Sequence, residues 1–545
     1  MAEYVRIREA GSSRLGDDNG HDFARHRDSF EHEDLPLHEK ELDEKPAATT
    51  HETDDASDSD DSDLEDIIDV EKQSSADMPK WTRYNTYGSL VKSWCVTALP
   101  RFCQSGGLRL KGEPHPTAWL DALRGYAAWI VFQYHAFNTY DPSWRRQPFV
   151  SILFAGPGMV ALFFVISGYV LSYSLLKQIR NRQSAGMLES LASSTFRRYL
   201  RLYVSSIVAT VFAFILIRLG WYNPFGIYVP SFLGQVGHWL FDTIIFINPF
   251  GDIRGWYHRG TQDSNYLSTL WTIPVEFRGS MILFGFCAAV CKLTTPWRMA
   301  LTWLVILLCY VWNSVFVAEF LYGLFVADLS LLRNPDRLRR PAATEALSSP
   351  LPSRVFVMET AAHAPRFWKW NWSLNRTPRS RIAANVGYSL LFLLGIFLLG
   401  EPDGIDLGVW GQFPWRFLKS FIPFYYTNGA EAYWYLSVGG FFLVLAIDSF
   451  PALQRPLMYG FSQYVGDLSF GIYVLHPPVT IAFYHGLMEP WRVKHLGSSP
   501  LAFIPGFIAL TLMVFILADY FSRLDKKVVR LGRWLQAKLF RKWDC

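Results

Sequence analysis

The sequence predicts an all-α polytopic membrane protein, with about ten transmembrane helices behind a disordered acidic N-terminal tail. Two observations predict it. The apolar residues gather into blocks near or above the ~18–20 residues that a bilayer-spanning helix needs. Charge is also scarce and sorted: charged residues make up 18% of the chain against 50% hydrophobic and 16% aromatic, where a soluble domain carries about 25% charge. The net charge of +4 sums an acidic tail with basic loops and a basic C-terminus. That sorting speaks of membrane topology and gives no support to a nucleic-acid partner.

Residues 1–80 are polar and contain an acidic Ser/Asp run at His51–Asp69. They cannot bury enough apolar surface to offset chain entropy, so disorder is expected. Ser57, Ser59 and Ser62 sit among these acids as candidate phosphoacceptors; the plainer reading is a solvated charge run. Residues 81–116 form a basic, Trp-containing lead-in suited to the membrane surface. The first apolar block begins past residue 115 and is expected to act as an uncleaved signal-anchor.

The transmembrane domain is expected over 117–522. Its spans are predicted at 117–138, 150–173, 199–219, 267–290, 298–313, 315–332, 382–400, 433–450, 464–486 and 501–522. The block 315–332 carries Glu319 and Asp328, and 231–250 is amphipathic, which suits an interfacial or re-entrant segment. Lys and Arg collect in the loops 174–198 and 333–381 and in the C-terminal segment 523–545. An even number of spans puts these on one side with the N-terminus, so both termini are expected in the cytoplasm. The sequons at Asn371 and Asn375 fall in the second of these loops and are read as chance matches. The six cysteines show no CxxC and no zinc spacing, and no metal site is expected. The membrane is expected to be a secretory-pathway or plasma membrane, as no organellar transit peptide is apparent.

Ionisable residues inside a span are costly unless paired or wetted, so each is a functional candidate. In the first span Arg124 and His135 lie eleven residues apart. That is about three turns, which places them on one face ~16 Å apart along the axis. Asp121 lies one turn before Arg124, so one polar stripe climbs an otherwise apolar helix; interfacial snorkelling is the structural alternative. The fourth span carries Trp271, Pro274, Glu276 and Arg278. Glu276 and Arg278 point to different faces, Pro274 can kink the helix, and a structural ion pair is the alternative for Glu276. In the ninth, Ser469, Tyr473 and His476 follow at i, i+4 and i+7 on one face, and two prolines are expected to end or kink the helix after His476. In the second span Gly158 and Gly168 suit close helix packing, while Ser167 suits packing or a site. No serine-hydrolase elbow, Walker loop, zinc-protease motif or dinucleotide fingerprint is present. Histidines, carboxylates and arginine on three helices suit direct base-assisted group transfer.

These residues resemble the membrane acyltransferase-3 family in its fungal form. Arg124 and His135, with ten residues between them in a Leu-Asp-x-Leu-Arg-Gly context, are similar to that family's first-helix signature. Phe163-Phe-Val-Ile-Ser-Gly-Tyr-Val, Arg197-Arg-Tyr-Leu-Arg201, Leu270-Trp-Thr-Ile-Pro-Val-Glu276 and Ser469-Phe-Gly-Ile-Tyr-Val-Leu-His476 resemble its later blocks, in the right order. A proline expected near Val204 is absent, and the acidic tail and the loop 333–381 have no counterpart. The resemblance implies an O-acyltransferase that takes an acyl group from an acyl-CoA such as acetyl-CoA, a co-substrate rather than a tightly bound cofactor. The acceptor would be a hydroxylated small molecule, lipid or glycan at the bilayer. His135 would be the general base, Arg124 would hold donor phosphate or carbonyl oxygen, and Asp121 would orient Arg124. Arg197, Arg198 and Arg201 would attract the donor, or simply mark the cytoplasmic side. Glu276 would orient His135 or bind the acceptor, and Trp271, Ser167, Ser469, Tyr473 and His476 would line the acceptor tunnel. The competing readings are a proton- or solute-coupled carrier, which lacks support from any internal repeat, and a sensor or scaffold acting through the acidic tail.

Overall fold

The computed structural model describes residues 98–108, 115–137, 147–249, 264–338, 378–402, 413–426, 430–497 and 499–540. The acidic tail, most of the lead-in, residues 339–377 with both sequons, and Cys545 lie outside the described residues. Helices account for the fold: α1 Ala118–Ala136, α2 Gly156–Arg180, α3 Ser184–Arg218, α4 Phe232–Phe246, α5 Thr272–Val290, α6 Thr295–Val311, α7 Val315–Arg333, α8 Pro378–Leu399, α9 Ala432–Ser449, α10 Gly460–Val479 and α11 Pro500–Leu539. Local chemistry sets several starts. Pro157 and Pro296 occupy first-turn positions whose N–H needs no helical partner. The hydroxyls of Ser231 and Ser499 cap α4 and α11.

A helix lies over every expected span, and seven helices among the described residues are long and apolar enough to cross a membrane. The other three differ for visible reasons. α1 carries Asp121, Arg124 and His135, α6 has 17 residues, and α10 carries Asp467, His476 and two prolines. On α8, Ile382, Val386 and Leu390 point outward in a continuous stripe, as a lipid-facing helix requires. α4 is inverted relative to a soluble surface helix. It buries Gln235 and Asp242 and exposes Phe232, Leu233, Phe241 and Ile244. At 15 residues it reaches about 22 Å, short of the ~30 Å hydrocarbon core.

Some boundaries move. α3 begins at Ser184, so Arg197 and Arg198 are helical rather than loop, continuous with Arg201. α11 likewise continues to Leu539. Hydropathy marks only the apolar part of each helix, and polar residues with good helix propensity extend it beyond. Pro274 falls in the first turn of α5, where the missing N–H disturbs nothing. Pro477 and Pro478 stand in the last turn of α10, which ends at Val479 and passes into a π-helical stretch, Thr480–Met488.

The basic ends of the helices meet. Asp328 of α7 is 99% buried and bonds both Arg180 of α2 (2.6 Å) and Arg298 of α6 (2.8 Å). Arg333 bonds Ser449 at 2.5 Å, Gln536 bonds Ser193 at 2.9 Å, and Arg101 bonds Asp519 at 2.7 Å. A lone charge in a span is thus explained for Asp328 by two partners. Close packing holds the interior: a Cβ on Gly168 would stand 2.1 Å from the Phe320 carbonyl, and one on Gly158 2.2 Å from the Leu399 carbonyl.

Candidate active site

α1 and α10 cross at two facing glycines. A Cβ on Gly125 would lie 2.5 Å from the backbone of Val465 and Gly466, and one on Gly466 would lie 2.7 Å from that of Asp121. This contact decides which polar residues meet. Arg124, next to Gly125, bonds Asp121 at 2.8 Å and the Ser469 hydroxyl of α10 at 3.3 Å. Gly125→Val should therefore weaken the fold by about 1–3 kcal/mol through overpacking, read as a lowered thermal midpoint of the purified protein.

A second arginine cluster faces the first. Arg198 of α3 pairs with Glu276 of α5 and donates to Ser280 Oγ at 2.7 Å. Arg124 and Arg201 are near enough to Arg198 to interact with it electrostatically, and Arg201 also lies near Asp525 and Asp121. Three guanidiniums from two helices thus share a region with a few carboxylates. Arg201 is solvent-accessible.

His135 is solvent-accessible. It sits in the last turn of α1, with its ring centre 5.1 Å from that of His476 and the planes 29° apart. His476 is fully buried. Its Nδ1 lies 3.0 Å from the Ile472 carbonyl, an acceptor that requires Nδ1 to carry the proton. Its Nε2 then presents a lone pair, and that atom is buried without a hydrogen-bond partner among the described residues. The sequence explains part of this. Pro477 has no N–H to give the Tyr473 carbonyl, and that carbonyl too lies within the imidazole's hydrogen-bonding reach.

The face predicted on α10 is real. Ser469 meets Arg124, His476 meets His135, and the Tyr473 hydroxyl lies 2.8 Å from both Thr272 Oγ1 and the Thr269 carbonyl. Phe163 stacks edge-on to Tyr473 at 5.9 Å, and Ser167, one turn on along α2, is half-buried on the same side. Trp271 ends the 3-10 turn Ser268–Trp271 before α5, its ring 6.3 Å from Phe316. Two expectations change. Glu276 is held by Arg198, and no carboxylate hydrogen-bonds His135 among the described residues. Arg197 is exposed and makes no ion pair among the described residues, apart from the cluster that its neighbours form. Sequence reasoning missed Thr269, Thr272 and Ser280. Thr272, Glu276 and Ser280 follow at four-residue steps on one face, a signal that could have found two of them. Among the described residues no three His, Cys, Asp or Glu side chains are grouped to hold a metal ion.

Comparison with known proteins adds to this geometry. The family described as an acyltransferase domain matches residues 117–523. The O-acetyltransferase PaAT-1 of Phomopsis amygdali is 29% identical over 466 residues, covering 78% of this chain and 86% of its own. The acyltransferase R4 of a Phoma species is 20% identical, covering 77% and 95%. The peptidoglycan O-acetyltransferase OatA of Listeria monocytogenes is 23% identical, covering 66% and 49%. No solved structure matches at a significant level.

Proposed function

Because the chain belongs to the acyltransferase-3 family and is a membrane O-acyltransferase, we propose that it transfers an acyl group, acetyl in the simplest case, from an acyl-CoA to an acceptor hydroxyl with His135 as general base. The observation that carries this reading is the order along α1: an arginine cluster at Arg124, then the His135–His476 pair about three turns on. The arginines suit a polyanionic donor, since a cleft lined by one sign of charge concentrates the opposite one. Arg124 would bind donor phosphate, fixed by Asp121 and Ser469. Arg198 and Arg201 would add charge, and Arg197 would act at longer range from the exposed surface. Glu276 would act by holding Arg198. Trp271, Ser167 and Tyr473 would line the acceptor path. The basic end would face the cytoplasm with both termini, in a secretory-pathway or plasma membrane, and the acceptor would be a small molecule, lipid or glycan.

In the reaction the acceptor O–H gives its proton to His135 as its oxygen attacks the thioester carbonyl carbon. The C–S bond of the tetrahedral adduct then breaks, and the leaving thiolate takes the proton from the imidazolium. The products are an O-ester and free coenzyme A, with no net change in protons. His476 would assist as a positioning residue. The two rings lie 5.1 Å apart with no hydrogen bond between them, so a turn of the His135 ring would bring its nitrogen to His476 Nε2. The Nε2 lone pair of His476 would then accept from the His135 imidazolium.

His476→Gln retains an acceptor oxygen and His476→Phe does not. The Phe variant is expected to lower kcat about tenfold or more, to alter the pH profile, and to exceed the Gln variant in effect; equal losses in both, with an unchanged profile, point to packing alone. The donor itself is tested in lipid nanodiscs with acetyl-CoA and a lipid and metabolite extract. Thiol release that depends on the extract, with a matching labelled ester, is expected. Ester formation without thiol release contradicts the acyl-CoA donor.

A further inference from the structure

A cavity of about 280 Å³ opens at the basic end of the bundle, bounded by His115, Thr117, Val170, Tyr173, Ser174 and Lys177. None of these residues belongs to the site described above. Lys177 packs along the Tyr173 ring, 6.0 Å from its centre, and no carboxylate pairs with it among the described residues. Arg337 stands behind Tyr173, bonding Ser330 Oγ at 3.0 Å and reaching the Tyr173 hydroxyl. His115 bonds Thr117 Oγ1 at 2.7 Å through Nδ1, so its other nitrogen is left for a ligand. Burial, then the Lys177 charge, hold the His115 imidazole below its ordinary pKa, and Arg337 adds to the effect against the pull of Asp121. One cation, an imidazole and the hydroxyls of Tyr173 and Ser174 thus line one space, with the Arg337 guanidinium behind Tyr173. A cation without a carboxylate partner among the described residues, beside several hydrogen-bonding side chains, suits an anion rich in acceptor oxygens, which takes charge-assisted hydrogen bonds.

The position of this cavity names the anion. Thr117 immediately precedes α1, two turns below Arg124, and His135 lies three turns above Arg124 on the same helix. Coenzyme A has the same order of groups: the thioester at one end, the diphosphate in the middle beyond the pantetheine arm, and a 3′-phosphate on the ribose at the far end. With the thioester at His135 and the diphosphate at Arg124, the 3′-phosphate falls at the cavity. We propose that the cavity bounded by His115, Thr117, Tyr173, Ser174 and Lys177 binds the 3′-phosphate of the coenzyme A donor. The proposal rests on the acyl-CoA reading above and adds a site to it.

The test uses the full-length protein in neutral phosphatidylcholine nanodiscs and compares binding of coenzyme A with that of 3′-dephospho-coenzyme A. Wild type is expected to favour coenzyme A by about tenfold. Lys177→Gln should bind both equally, while Lys177→Arg and Arg182→Gln, a cation at the same end outside the cavity, should keep the preference. A wild type that binds both ligands equally, or a Lys177→Gln variant that keeps the preference, overturns the site and leaves the donor intact. A wild type that binds neither overturns the donor reading and the site with it. Phosphatidic acid carries the same phosphomonoester on a lipid. If it binds in a Lys177-dependent way while coenzyme A and its dephospho form do not differ, the cavity is a lipid-headgroup site and the proposal fails.

Discussion

His135→Ala is expected to lower acyl transfer by about 10²–10⁴-fold, the range for loss of a general base, while the protein accumulates at its normal level. The second half of this expectation follows from the structure. His135 makes no hydrogen bond among the described residues and is solvent-accessible, so its truncation leaves no buried hydrogen-bond partner stranded. The loss should fall on kcat, since the imidazole acts on the proton that moves in the transition state and the arginines hold the donor elsewhere. Initial rates over a range of donor concentrations separate the two parameters. A raised KM with unchanged kcat would make His135 a binding residue.

Asp328→Asn is expected to have the opposite character, a loss of protein rather than of chemistry. Asp328 and Arg298 are almost wholly buried and Arg180 nearly so, and the carboxylate bonds both guanidiniums. Removing the one shared anion leaves two buried cations facing each other. Breaking a buried pair typically costs about 3–5 kcal/mol, and with two cations stranded the effect should lie at the upper end. The variant should fail to accumulate, or unfold at a clearly lower temperature, in the same membranes where His135→Ala is stable. Replacing the network with apolar residues of similar volume, Asp328→Leu with Arg180→Met and Arg298→Met, should recover much of the loss, because the pairs are compensating a desolvation that apolar residues never incur. If Asp328→Asn is as stable as wild type, the network contributes nothing.

The helical membrane architecture was legible because the bilayer imposes a length and a composition that hydropathy reads directly. A helix stands over each expected span, and the disagreements have local causes. The early start of α3 at Ser184 and the late end of α11 at Leu539 lie in polar sequence, where hydropathy says nothing and helix propensity decides. Pro274 looked like a kink because its offset from the helix start was not known. Pro477 and Pro478 do mark the end of α10, but the π-helical stretch that carries the chain on beyond them is not legible in the sequence.

The site was legible along each helix and much less so between helices. The stripe of Asp121, Arg124 and His135 and the face of Ser469, Tyr473 and His476 follow from a 3.6-residue period. Which member meets which follows from the Gly125–Gly466 crossing, and nothing in either helix alone specifies that register. The partner of Glu276 was missed for the same reason. Arg198 lies 78 positions away on another helix, and a carboxylate near a predicted base suggested the more familiar pairing.

The most direct test of the central claim uses a host lacking the gene. Wild type and His135→Ala are expressed at matched levels, cells are fed isotope-labelled acetate, and labelled metabolites, lipids and glycans are compared by mass spectrometry. The account predicts at least one O-acylated species that appears with wild type and is absent with His135→Ala. The same species formed equally by both proteins would contradict the assignment of His135 as the base.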